Sequence, residues 1–168
     1  MTDSSGPFKL VSPTAPGRLS GSAYPDCPRL AVGAVVFKDQ QVLLVRRGHP
    51  PGQGQWAIPG GSVHLGETLQ QAAEREVLEE TAVTVRARQP IYTFDLVDRD
   101  ADGRVRFHYV IVDLAADYIS GNPCAGDDAL EARWVPVDEL DRFGVNPATR
   151  ALVRREYPIR ELQVRNSP

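Results

Sequence analysis

The chain reads as an α+β domain, with a mixed β-sheet sandwiched between α-helices. Three observations predict this. Short β-branched runs alternate irregularly with helical patterns, a hairpin dipeptide joins two of the runs, and no internal repeat or second domain breaks the order. A length of 168 residues suits one domain, and a 42% hydrophobic share suffices to bury a core without disulfide or metal staples.

Each element follows from its residues. Residues 1–28 are interrupted by Pro7, Pro13, Pro16, Gly17 and Pro25, and are expected to be a poorly ordered lead-in to a single domain over 29–168. Residues 30–37 form a β-branched run that predicts a buried strand. The polar turn Lys38-Asp39-Gln40 returns the chain into a hairpin partner over 41–46. Residues 48–54, rich in Gly and Pro, can only be a loop. Thr68 and Gln71 form a capping-box pair, followed by Leu69, Ala72, Ala73 and Val77 at helical spacing. Two strands are predicted over 83–97 and 104–114, joined around Asp102-Gly103. A Gly/Pro/Asp-rich loop over 121–128 leads to a short strand at 133–135. Asn146-Pro147 then opens a last helix through Tyr157, which Pro158 is expected to end.

Composition excludes several classes of function. No stretch approaches the roughly 20 apolar residues of a membrane helix, and the first residues hold no apolar run of a secretory signal. The net charge of -3 argues against a protein that wraps a nucleic-acid backbone. Cys27 and Cys124 lie far apart without zinc spacing, as ordinary thiols of a reducing compartment do. The expectation is a cytoplasmic domain acting on a small molecule.

The most informative segment runs from Gly60 to Glu80. Glu76, Glu79 and Glu80 stand at i, i+3 and i+4, so their carboxylates share one helix face. Each like-charge pair costs a few tenths of a kcal/mol, and their place near the helix C-terminus opposes the macrodipole. Arg75 alone offers local relief. Carboxylate oxygens gathered on a rigid rod suit Mg²⁺ or Mn²⁺, and Glu67, just ahead of the helix, can fold back over the same face. An isolated Glu-Glu pair is better read as a solvated face; here the spacing decides otherwise.

Gly61, Glu67, Arg75, Glu76, Glu79 and Glu80 fall in register with the Nudix box, with Val77 and Val83 at its two aliphatic positions. Six such matches arise by chance with odds on the order of 10⁻⁵. The chain therefore resembles Nudix hydrolases. Arg46-Arg47, the segment from Trp56 to Gly61 and Trp134-Val135-Pro136 extend the likeness. Ala82 departs from it, standing where the family has a Gly that ends the helix in a left-handed turn.

The resemblance implies the Nudix fold and divalent-metal-dependent water attack on the pyrophosphate of a nucleoside diphosphate derivative. It implies Glu76, Glu79 and Glu80 as metal ligands, joined by Glu67 and the Gly60 or Gly61 carbonyl, with Arg75 holding the carboxylates. Glu76 is also a catalytic candidate, because a box glutamate serves as general base in some members. In others the base is an acid from a later loop, which here offers Asp127, Asp128 and Glu131. Arg46 and Arg47 are candidates for the substrate phosphates. Trp56 and Phe94, among Tyr92, Phe107, His108 and Tyr109, are candidates for an aromatic base platform. General likeness favours the ADP-ribose-pyrophosphatase-like bacterial group, although the Pro that marks many of its members beyond the box is absent. A nucleoside triphosphate pyrophosphatase and a non-catalytic nucleotide sensor are the alternatives, and homodimers are common among relatives.

Other signals fail. Asp98-x-Asp100-x-Asp102-Gly103 begins like a calcium loop but has Tyr109 at its twelfth position. Gly52-x-Gly54 lacks the third glycine of a dinucleotide fingerprint. His49, His64 and His108 share no metal spacing, and Arg150, Arg154 and Arg155 read as a solvated helix face.

Overall fold

In the computed structural model, which describes residues 23–50 and 52–165, with side chains as far as residue 158, one strand organises the sheet. That strand, β1 (Arg29–Lys38), turns at Asp39 into β2 (Gln41–Arg47). After a loop come β3 (Trp56–Ala57), β4 (Gly60–Ser62) and helix α1 (Leu69–Thr81). The long strands β5 (Thr84–Arg99) and β6 (Val105–Ser120) follow, then β7 (Ala129–Pro136), a 3₁₀ turn and helix α2 (Pro147–Arg165). The sheet runs β3-β2-β1-β6-β5, with β4 also on β1 and β7 also on β2. β1 and β6 are parallel and the other pairs antiparallel, so the sheet is mixed, as expected. The lead-in expected over residues 1–22 lies outside the described residues. No described helix is long and apolar enough to cross a membrane.

Alternation along β1 divides the core. Val32, Ala34 and Val36 face α1, where Ala72, Ala73, Val77 and Leu114 are fully buried, while Val35 and Phe37 face α2 with Leu44, Ile58 and Val153. Burying each large aliphatic side chain contributes about 1.5–3 kcal/mol, so the two helices are held on opposite faces by one strand's two edges of side chains. Thr68 caps α1 through the Gln71 N–H while the Gln71 side chain accepts from the Thr68 N–H, the predicted capping box.

Several boundaries differ from expectation. β3 and β4, of two and three residues, carry no period-2 signal and were not predicted. β6 runs past Leu114 because its pairing with β1 continues to Asp117. The shift of register around Pro90 is tolerated because β5 is an edge strand. α2 does not stop at Pro158 but continues to Arg165. The carbonyl deprived of its partner by the proline belongs to Arg154, an exposed residue where water can satisfy it, while Tyr157 anchors this turn against Phe37.

Ala82 keeps the left-handed conformation expected of the glycine it replaces, at φ 56° and ψ 16°. Ala82→Gly is therefore expected to stabilise the fold by roughly 0.5–1 kcal/mol, read as a higher urea midpoint; an unchanged or lower midpoint contradicts strain at this cap.

Candidate active site at the acidic helix

The acidic face of α1 lies against the glycine backbone of β4. A side chain at Gly60 would collide with the backbone of β1, so glycine is needed there, and one at Gly61 would push the Glu76 carboxylate away from the strand. The Gly60 N–H donates to Glu80 Oε2 at 3.0 Å. Glu80 is only 8% exposed, and burial pushes its carboxyl up to about 7, against the pull of the Gly60 N–H. Burial likewise raises Glu76, opposed by Arg75. Two carboxyls are thus drawn largely out of water one helical turn apart, which disfavours their charged forms.

Arg75 is the organising cation. Its Nε and Nη2 grip Glu67 at 2.7 and 2.9 Å, its Nη1 reaches Glu76 at 2.8 Å and Glu79 at 3.0 Å, and Nη2 also meets the Ser62 carbonyl. The bidentate hydrogen bonds from Arg75 hold the Glu67 carboxyl down at about 2. Of the carboxylates that Arg75 holds, Glu67, eight residues away, is the one bonded by two nitrogens.

The loop over 121–128 wraps the C-terminal end of α1. Cys124 N–H donates to the Thr81 carbonyl and Gly126 N–H to that of Glu80, which caps carbonyls left open by the helix. This brings the charge of Asp128 close to Glu80, with the charge of Arg47 on the same carboxylate. Asp128 is fixed further by the Gly48 N–H on its carbonyl and by His49 Nε2, 3.2 Å from its carboxylate.

The remaining predicted residues divide. Glu131 stands opposite Arg46 across β2 and β7 and pairs with it at 2.7 Å and with Arg133 as well. It belongs to a cross-strand charge ladder, while Asp128 sits beside the acidic face. Trp56 is 8% exposed and packs edge-on against Phe143 in the α2 core, which leaves it no open face for a base. Phe94 stacks on Tyr92 with ring centroids 5.5 Å apart on a partly exposed part of the sheet. Sequence reasoning missed Asp113, 4% exposed in the middle of β6, although a lone acid inside the apolar run from Tyr109 to Ala116 was a legible signal. It also missed the link from His49 to Asp128, which only the loop geometry creates.

Among the described residues, no three acidic, His or Cys side chains converge as a ready-made metal cluster. The donor chemistry nevertheless fits a hard dication: the carboxylate oxygens of Glu76 and Glu80 lie together on the Gly60–Gly61 backbone, with those of Glu67 and Glu79 brought alongside by Arg75.

The chain belongs to the Nudix hydrolase family: the NUDIX domain model matches residues 28–156. An ADP-ribose pyrophosphatase of Methanocaldococcus jannaschii is 35% identical over 116 residues, which is 69% of this chain and 66% of that relative. The match thus spans just under two thirds of that relative's length. A nucleoside triphosphatase, NudI, of Salmonella agona is 33% identical over 136 residues, 73% of this chain and 92% of the relative. A crystal structure of the NUDIX domain of Shewanella oneidensis NrtR complexed with ADP ribose superposes with a TM-score of 0.61 at 27% identity, covering 79% of this chain and 88% of that one.

Burial holds the Asp113 carboxyl up at about 6. A group raised in the folded state loses its proton first when unfolded, so stability falls as pH rises from about 4 to 6 and then levels off. The loss is about 3 kcal/mol at most. Asp113→Asn is expected to flatten this segment of the pH–stability curve, measured by urea unfolding at pH 4 and pH 8. A variant curve parallel to that of the parent protein would contradict the assignment.

Proposed function

We propose that the chain hydrolyses the pyrophosphate linkage of ADP-ribose to AMP and ribose 5-phosphate, assisted by Mg²⁺ or Mn²⁺. The observation that carries the reading is the pair of carboxylates, buried Glu80 and half-buried Glu76, packed on bare glycine backbone beside Arg75. The relation to an ADP-ribose pyrophosphatase, and the ADP ribose held by a structurally similar domain, support the substrate.

Glu76 and Glu80 would hold the ion, with the Gly60 or Gly61 carbonyl alongside. Glu79, 46% exposed and held by one nitrogen of Arg75, would hold the ion with them. Glu67, gripped by two nitrogens of Arg75, is the outer member. The divalent ion supplies neutralisation of the pyrophosphate and a lower pKa for water at the site. Asp128 accepts the proton of the attacking water, with His49 orienting its carboxylate. The water oxygen bonds to one phosphorus while the bridging oxygen leaves with the other phosphate. Arg47 faces the departing charge, and Arg46 supports it through the ladder with Glu131.

Glu80→Gln is expected to lower turnover with Mg²⁺ by about 100-fold or more without lowering the melting temperature, because it removes a crowded buried charge. Full turnover in the variant would remove Glu80 from the ligand set. Asp128→Asn is expected to lower kcat by about 10²–10⁴-fold, and Glu131→Gln to change it little; the reverse pattern would move the base to Glu131. A hydrolysis screen with Mg²⁺ across ADP-ribose, sugar nucleotides, dinucleoside polyphosphates and nucleoside triphosphates tests the substrate. AMP plus ribose 5-phosphate supports the reading. A nucleoside monophosphate plus pyrophosphate would favour the triphosphatase alternative suggested by the NudI likeness, and tight binding without products a sensor.

A further inference from the structure

Four residues form a lateral row across the sheet on its α2 side. Tyr92 of β5 stands directly opposite Asp113 of β6, Asp113 opposite Gly33 of β1, and Gly33 opposite Gly60 of β4. Directly paired residues point to the same face, and the contacts agree: a side chain at Gly33 would run into the Asp113 carboxylate and into Ile58, which belongs to the α2 core. The row ends at Gly60, whose N–H holds Glu80. Three inter-strand steps of about 4.8 Å separate an aromatic platform from the acidic face, a distance that a nucleoside diphosphate can bridge.

At the outer end, Tyr92 is 40% exposed and stacked with Phe94, two residues on along the same face. The Arg155 guanidinium lies 4.9 Å from the Tyr92 ring centroid and donates to the Ile91 carbonyl, which holds this part of β5 against α2. Next inward is Asp113, a residue 4% exposed whose carboxyl receives no hydrogen bond from a described residue; among the described residues the charge of Arg155 reaches it. A carboxyl largely withdrawn from water without a donor is costly. The conformation is retained because Gly33 gives it space, and a donor arriving beside Tyr92 would relieve it.

We propose that Asp113 is the specificity-determining residue of this site, accepting a hydrogen bond from the exocyclic amino group of a base stacked on Tyr92 and Phe94. This rests on the nucleotide reading above, with adenine as the base. Stacking on a ring is indifferent to the base edge, since every base has a π-face. A carboxyl acceptor is not: it favours a base with an amino group and leaves an unpaired buried acid against one without.

The test is binding rather than turnover, so that its outcome stays separate from that of the hydrolysis screen. AMP and purine riboside 5′-monophosphate, which lacks only the amino group, are titrated calorimetrically into the full chain. The parent protein is expected to bind AMP about 10-fold more tightly. Asp113→Val should abolish that ratio, whereas Asp113→Asn, whose amide oxygen still accepts, should retain it. Tyr92→Ala, on an exposed edge strand, should weaken both ligands together by about 5- to 100-fold and keep the ratio. Equal affinities in the parent protein, no saturable binding of AMP, or an unchanged ratio in Asp113→Val overturns the proposal. Should Asp113→Val fail to fold, the parent ratio and the Asn and Tyr92 variants decide it. Failure of ADP-ribose hydrolysis with the AMP preference intact would overturn the enzymatic reading alone.

Discussion

The structure depends on holding carboxylates out of water beside backbone that has no side chains. Glu80 is buried and Glu76 half-buried against Gly60 and Gly61; a methyl group at Gly60 would strike the backbone of β1, and one at Gly61 would displace the Glu76 carboxylate. Such an arrangement opposes both mutual repulsion and the helix macrodipole, since the last turn of α1 carries no basic residue. Arg75 offsets part of that cost by bonding three carboxylates at once, and the Gly60 N–H offsets another part at Glu80. The rest of the local architecture follows from the same demand. β4 must be glycine at Gly60 to lie against β1, a bare backbone at Gly61 lets the Glu76 carboxylate rest on it, and the loop over 121–128 caps the helix end.

The scaffold places these groups with one central strand. β1 pairs with β6 on one side and β4 on the other, so Asp113, Gly33 and Gly60 lie side by side. Its two faces anchor α1 and α2 in separate cores. The acidic site therefore sits at one edge of a rigid layer whose other edge carries the Tyr92–Phe94 pair. The bulges around Pro90 allow this by setting Tyr92 opposite Asp113 on the face covered by α2.

The acidic helix was legible from sequence because its start, its core face and its charges each have a short-range signature: the Thr68–Gln71 box, the Ala72, Ala73 and Val77 spacing, and the i, i+3, i+4 glutamates. β1, β2 and the long hairpin were legible for similar reasons. β3 and β4 were not, because a strand of two or three residues has no period and owes its form to its neighbour. Pro158 misled because a helix stop is a local rule, while the packing of Tyr157 on Phe37 is not local. Trp56 misled for the opposite reason: an aromatic next to the box reads as a platform until the tertiary fold places it in the core. The link from Asp128 to His49 and the burial of Asp113 beside Gly33 were beyond sequence, because each depends on a long-range approach.

Anomalous diffraction from crystals grown with Mn²⁺ tests the central claim most directly. The account predicts a peak bonded to the Glu76 and Glu80 carboxylates, with Arg75 retained by Glu67. A peak elsewhere on the protein, or none while Arg75 still grips Glu76 and Glu79, would contradict it.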